Sequence, residues 1–257
     1  MVFFNRACAE SRLGPDHPLL SLPLAHRGLH DHADGVYENT MPAFERAVER
    51  GYGIELDVQL LRDGNLVVFH DDDLTRAADR KERIADLDFG QVRELVLFGD
   101  GPPPPMLPEV LALVAGRAPL YIEVKNDGGP GPAEQSVAAA LADYTGPCAV
   151  ASFNPFSMAW FAAHRPRLFR GLVSGGFEDE QSLPRRLLKK AFLSTLALNR
   201  LAKPDFVAYD VRRLPHRAVS RYRRSGIPVV AWTCKSPEQG RYAEQYADNV
   251  VFEGYLP

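Results

Sequence analysis

Short apolar runs alternate with helix-patterned stretches along nearly the whole chain. The strand candidates are Leu22–His26, Gly53–Val58, Leu66–His70, Leu120–Lys125, Cys148–Phe153, Phe169–Val173, Phe206–Tyr209, Pro228–Trp232 and Asn249–Phe252. Helical patterns fall between them at Met41–Arg50, Pro108–Ala115, Pro132–Tyr144, Pro155–His164, Pro184–Asn199, Pro215–Ser225 and Pro237–Tyr246. Several open with proline, which has no N–H to leave unpaired in a first helical turn. Gly51 and Gly226 stand where two of these helices should stop. Strands alternating with helices predict a parallel sheet, and eight or nine strands in that order predict a closed TIM-type (β/α)8 barrel. The irregular stretch 71–105, with its Pro102–Pro105 run, breaks the alternation and reads as a small insertion after the second strand region.

Length and composition fit that reading. A chain of 257 residues, 46% hydrophobic and 25% charged, suits one α/β barrel as a single domain over 1–257. Its net charge of −3 lacks the basic excess of nucleic-acid-binding domains, so no nucleic-acid partner is expected. Cys8, Cys148 and Cys234 are widely spaced and form no metal-ligand pattern, which predicts reduced thiols. Charges at Arg6, Glu10 and Arg12 interrupt the N-terminal stretch, which therefore reads as no signal peptide. No window approaches the roughly 18 apolar residues of a membrane span. A cytoplasmic protein without stable membrane insertion is the expectation. The basic stretch Leu183–Phe192 is either a helix lying on a membrane surface or an outer barrel helix with a solvated charged face.

Barrel enzymes place their chemistry at the C-terminal mouths of their strands, and here polar groups collect there. The first strand ends in His26-Arg27-Gly28, the second carries Glu55 and Asp57, and the segment after it ends in His70-Asp71. The next strand carries Glu123 and Lys125. Residues two apart on a strand leave the same face, so Glu55 and Asp57 point together, as do Glu123 and Lys125. Three converging carboxylates would repel by about 4 kcal/mol per pair at about 4 Å and an effective dielectric near 20. Either one stays protonated, or one pairs with Lys125 or an arginine, or a cation sits among them. All-oxygen ligands point to a hard ion, Mg²⁺ or Ca²⁺. An unperturbed imidazole titrates near neutrality, so His26 and His70 are candidate proton carriers. Arg27 offers donors matched to phosphate oxygens, and Gly28 permits a sharp turn beside them.

The ordered set His26-Arg27-Gly28, Glu38-Asn39-Thr40, Glu55-Leu56-Asp57 and Asp63-Gly64…His70-Asp71 resembles the glycerophosphodiester phosphodiesterase family in order and spacing. Pro105–Leu111, Ile122–Lys125, Ser152-Phe153 and Trp232-Thr233 extend the resemblance almost to the C-terminus. The resemblance implies a TIM barrel that uses one divalent cation to cleave glycerophosphodiesters into sn-glycerol 3-phosphate and an alcohol. By the same resemblance Glu55, Asp57 and Glu123 are metal ligands and His26 and His70 the acid/base pair. It further makes Arg27 and Lys125 phosphate-binding cations, places Glu38 beside the metal and catalytic groups, and makes Trp232 the wall against glycerol.

The chain departs from the family pattern at Tyr37, where proline is usual, at Thr75–Ala78, and at Phe252–Tyr255. These bear on substrate preference more than on reaction type. A lysophospholipase D or a sphingomyelinase D-like enzyme of the same architecture would need an apolar wall near the mouth. The insertion offers Phe89, Leu95, Val96, Leu97 and Phe98 either for such a wall or for its own packing. A non-catalytic phosphate-binding barrel is the third reading, and it would have lost a proton carrier or a metal ligand.

Overall fold

A computed structural model describes residues 12–175 and 199–257. Among these residues nine strands occur in chain order: β1 Leu24–Ala25, β2 Gly53–Leu60, β3 Leu66–Val68, β4 Leu120–Val124, β5 Cys148–Ser152, β6 Phe169–Ser174, β7 Phe206–Asp210, β8 Val229–Cys234 and β9 Asn249–Phe252. All but β3 pair in parallel, and β1 joins both β2 and β9, so eight strands close into a barrel. The helix α1 Pro18–Ser21 packs across the N-terminal end of the barrel, and helices on its outside include α2 Met41–Glu49, and later Leu107–Val114, Pro132–Ala140, Pro155–His164, Arg217–Arg224 and Pro237–Glu244. The proline-opened helices that fall within the described residues form, although Pro132–Ala140 stops short of Tyr144 and Arg217–Arg224 starts after Pro215. The expected helix Pro184–Asn199, the basic stretch Leu183–Phe192 and Cys8 lie outside the described residues, apart from Asn199. Cys148 and Cys234 are free thiols. Among the described residues no helix is long and apolar enough to cross a membrane.

The third strand candidate, Leu66–His70, is the exception to parallel order. β3 runs antiparallel to the far end of β2, pairing Val58 with Val68 and Leu60 with Leu66, on the edge opposite β4 and beyond the Gly53–Ile54 stretch that pairs with β1. The insertion therefore begins with this hairpin, ahead of Asp71. It holds its own apolar cluster, including Val67, Phe69, Leu74, Ile84, Val92, Leu95 and Leu97. Leu95 and Leu97 are thus packing, whereas Phe89 and Val96 are exposed. Phe98 stacks on Tyr37 of the barrel loop with ring centroids 5.0 Å apart.

Alternation along the barrel strands sorts the core. Ile54, Leu56 and Val58 face the helices, together with Ile122 and Val124. The intervening positions face inward. Toward the N-terminal end these are apolar, with Tyr121, Ala149, Phe206 and Val230 packed beneath Leu13, Leu19 and Leu20. Phe206 fills space left by Gly171, where a Cβ would stand 2.3 Å from the ring. One turn of the pleat farther on, the inward positions become Glu55, Asp57 and Glu123. The lower layer is sealed by apolar packing, and the upper layer carries the charge.

Candidate active site

The inward carboxylates come from adjacent strands in fixed register. Asp57 of β2 lies opposite Glu123 of β4. One oxygen each from Glu55, Asp57 and Glu123 lies within 4.8 Å of the others, and all three residues are buried. Two cations enter the cluster. Lys125 Nζ lies 2.9 Å from Asp57 Oδ1 and 2.5 Å from Glu123 Oε1, and Arg27 Nε lies 3.6 Å from Asp57 Oδ2. Asn39 donates from Nδ2 to Asp57 Oδ2 at 2.9 Å.

These contacts divide the carboxylates electrostatically. Burial raises the carboxyl of Glu55, and the charges of Asp57 and Glu123 push it farther up. Burial also works against Asp57, yet Lys125, His70 and Arg27 outweigh it and hold that carboxyl below its ordinary range. Lys125 shows the reverse balance: burial lowers its ammonium, and Asp57 with Glu123 raises it above the ordinary value. The cluster is short of positive charge around Glu55 even with Lys125 and Arg27 in place. Buried oxygen donors with an unmet need for positive charge fit a hard divalent cation.

The turn after β1 is shaped by its backbone. Arg27 and Gly28 both have positive φ, 55° and 81°. A Cβ on Gly28 would meet Ala43 Cβ at 2.8 Å, so the turn lies tight against α2. This turn aims the Arg27 N–H at Glu55 Oε2, 2.9 Å away. It sets His26 Nε2 4.0 Å from that same oxygen. Burial holds the His26 imidazole down to about 4, so the ring is neutral at pH 7.

On the insertion side, His70 Nδ1 lies 2.6 Å from Asp71 Oδ1. Arg76 donates to Asp71 Oδ2 at 2.7 Å and to both oxygens of Glu38 at 2.7 and 3.0 Å. Arg27 Nη1 reaches Glu38 Oε1 at 2.5 Å. Burial opposes ionisation of Glu38, but the two guanidinium groups outweigh it and bring that carboxyl down to about 2. His26, Arg27, Glu38, Glu55, Asp57, His70, Glu123 and Lys125 thus form one connected polar network. Trp232 stands outside it on β8, edge-on to Phe153 with centroids 5.6 Å apart.

Sequence reasoning missed several members. Gln59, the next inward position after Glu55 and Asp57, donates from Nε2 to the carbonyls of Phe69 at 3.0 Å and Asp71 at 2.8 Å, bracketing His70. The period of two that found the carboxylates would have found it. Arg76 sits in the segment singled out as a departure, with nothing local to mark it. Glu253, just past β9, lies 2.7 Å from His26 Nδ1. Its partner is 227 residues away, so no spacing in the chain announces it.

The sequence profile of the Glycerophosphoryl diester phosphodiesterase family matches residues 26–252. A glycerophosphodiester phosphodiesterase of Caldanaerobacter subterraneus subsp. tengcongensis is 35% identical over 164 residues, covering 60% of this chain and 66% of that relative. The matched stretch therefore spans just under two thirds of that relative's length. Among solved structures, a glycerophosphodiester phosphodiesterase from Parabacteroides distasonis superposes with a TM-score of 0.73 at 21% identity, covering 90% of this chain and 92% of that one. An Oleispira antarctica phosphodiesterase, solved in complex with the product sn-glycerol-3-phosphate, gives 0.70 at 22% identity over 90% and 93%. At such identities the superpositions speak for the closed barrel alone. The match across nearly the whole barrel shows that this chain belongs to the glycerophosphoryl diester phosphodiesterase family.

Proposed function

We propose that this protein hydrolyses glycerophosphodiesters to sn-glycerol 3-phosphate and an alcohol, with one divalent cation, Mg²⁺ or Ca²⁺, held by Glu55, Asp57 and Glu123. The observation that carries the reading is the buried carboxylate cluster on β2 and β4, set beside His26 in a chain matched by the family from 26 to 252. The glycerol 3-phosphate bound by the Oleispira antarctica phosphodiesterase supports the choice of product. Bound at the three carboxylates, a divalent cation supplies Lewis-acid polarisation of a phosphoryl oxygen.

The chain's own residues do the rest in this proposal. His26 and His70 act as the acid/base pair: one takes the proton of the attacking oxygen, either the glycerol 2-hydroxyl or a water, as its bond to phosphorus forms, and the other protonates the alcohol as its bond to phosphorus breaks. Where the 2-hydroxyl attacks, a water then opens the cyclic phosphate to glycerol 3-phosphate with the two roles reversed. Arg27 and Lys125 offset charge growing on the non-bridging oxygens. Glu38 holds the Arg27 guanidinium in place through its 2.5 Å hydrogen bond. Trp232 walls the glycerol moiety. The test is release of glycerol 3-phosphate from diesters with choline, ethanolamine, glycerol and inositol head groups, each with and without either cation. His26→Ala and His70→Ala should lower turnover by about 10²-fold or more. Wild-type turnover in either variant, or no release from any diester, would refute the proposal.

A further inference from the structure

We propose that Glu253 is a positioning residue for this site, whose carboxylate fixes the tautomer and orientation of the His26 ring and leaves Nε2 as the nitrogen that exchanges a proton with substrate. This rests on the reading of His26 as an acid/base residue and adds the group that sets the state of the ring.

Barrel closure puts the two side chains together. The first and last strands pair Leu24 with Val251 and Ala25 with Phe252. The register continues one step farther, with the His26 N–H donating to the Phe252 carbonyl at 2.9 Å. His26 and Glu253 therefore leave the seam side by side. The Glu253 N–H donates to the Cys234 carbonyl at 2.9 Å, which anchors its backbone to β8 as well. Its Oε2 lies 2.7 Å from His26 Nδ1, while Oε1 lies 3.4 Å from Lys235 Nζ. The other ring nitrogen of His26 is 4.0 Å from Glu55 Oε2, outside hydrogen-bond reach.

An ionised carboxylate only accepts, so Nδ1 must carry the ring hydrogen that Glu253 receives. The lone pair of the neutral ring is then at Nε2, on the side of Glu55 and the carboxylate cluster. An alternative is that Glu253 is a rim carboxylate serving Lys235. The distances argue against it: the lysine contact is longer, and that lysine is exposed. A carboxylate that only serves Lys235 also leaves a largely buried ring N–H without an acceptor, which is costly.

The test uses the full chain with ¹⁵N-labelled histidine. In the wild-type protein the His26 ring should show its hydrogen on Nδ1. In Glu253→Gln, the Lys235 ammonium, a donor only, should take the amide oxygen and turn the amide NH₂ toward Nδ1, which moves the ring hydrogen to Nε2. Turnover on glycerophosphodiesters should then fall by about 10³–10⁴-fold, the scale seen when a carboxylate behind an acid/base histidine becomes an amide. KM should stay within about threefold, because no substrate contact is removed. Glu253→Ala should be less severe than Glu253→Gln, since its ring samples both tautomers, and Glu253→Asp should recover part of the loss. A merely structural role reverses that order, because glutamine fills the space and keeps a hydrogen bond where alanine does neither. An Nε2-protonated ring in the wild type, or Glu253→Gln turning over within about threefold of wild type, would overturn the proposal. Should the wild type release no glycerol 3-phosphate, the functional reading fails while the ring's protonation state still decides the role of Glu253.

Discussion

Gln59 offers a direct probe of how the barrel holds the insertion-borne histidine. Its amide is the only donor group of a 7%-exposed side chain, and both of its N–H bonds end on carbonyls flanking His70. Gln59→Met keeps the length of the side chain and removes both donors. A buried carbonyl left without its partner costs about 1–3 kcal/mol, and the Phe69 carbonyl is the more buried of the two. Together they give about 2–4 kcal/mol of destabilisation, or about 5–12 °C in Tm for a chain of this length. The chemistry should suffer separately. A reacting group displaced by about 1 Å costs on the order of 10²-fold in turnover. Thermal unfolding followed by circular dichroism reads the first effect, and steady-state release of glycerol 3-phosphate reads the second. A Gln59→Met protein with wild-type Tm and wild-type kcat would show that the amide does not hold this loop.

Two further perturbations test the electrostatics. Burial opposes ionisation of Asp71, but hydrogen bonds with His70 and Arg76 outweigh it and hold the carboxyl below its ordinary 3.8. As pH falls through that ordinary value, the unfolded chain takes up the proton first, so stability from this group is full above about pH 4 and is lost on further acidification. Urea denaturation from pH 6 to pH 2.5 should therefore show a shallower loss of stability in Asp71→Asn; an unchanged slope would contradict the assignment. Lys125→Met removes the ammonium lying between Asp57 and Glu123. Calorimetric titration should find divalent-cation affinity raised about tenfold or more, while turnover falls about 10²-fold. Weaker cation binding with turnover retained would place Lys125 outside the site.

The parts of this site that read directly from the chain are those whose logic is local. Glu55 and Asp57 share a face because they are two apart on one strand, and Glu123 with Lys125, just past the end of β4, repeats the pattern beside β2. The alternation of apolar runs with proline-opened helices carried the barrel for the same reason: each element buries its own face. What stayed hidden depends on long-range closure. The contact between His26 and Glu253 exists only because the last strand meets the first. β1 is two residues long, shorter than its apolar run predicts, and His26 falls in the turn beyond it. Leu66–His70 read as another strand, and its antiparallel direction is set by pairing with the overhanging end of β2. The role of Arg76, which ties the insertion to Glu38, needed the positions of three segments at once.

In the proposed reaction Glu55, Asp57 and Glu123 hold the cation on which hydrolysis depends. The most direct measurement of that role is glycerol 3-phosphate release from glycerophosphocholine by exhaustively chelated protein, titrated with Mg²⁺ or Ca²⁺, for wild type beside Glu55→Gln and Asp57→Asn. Turnover should vanish on chelation and return with added cation in the wild type. Each variant should need at least about tenfold more cation or fail to recover. Undiminished hydrolysis by the chelated wild type, or variants that recover at the wild-type cation concentration, would contradict that role.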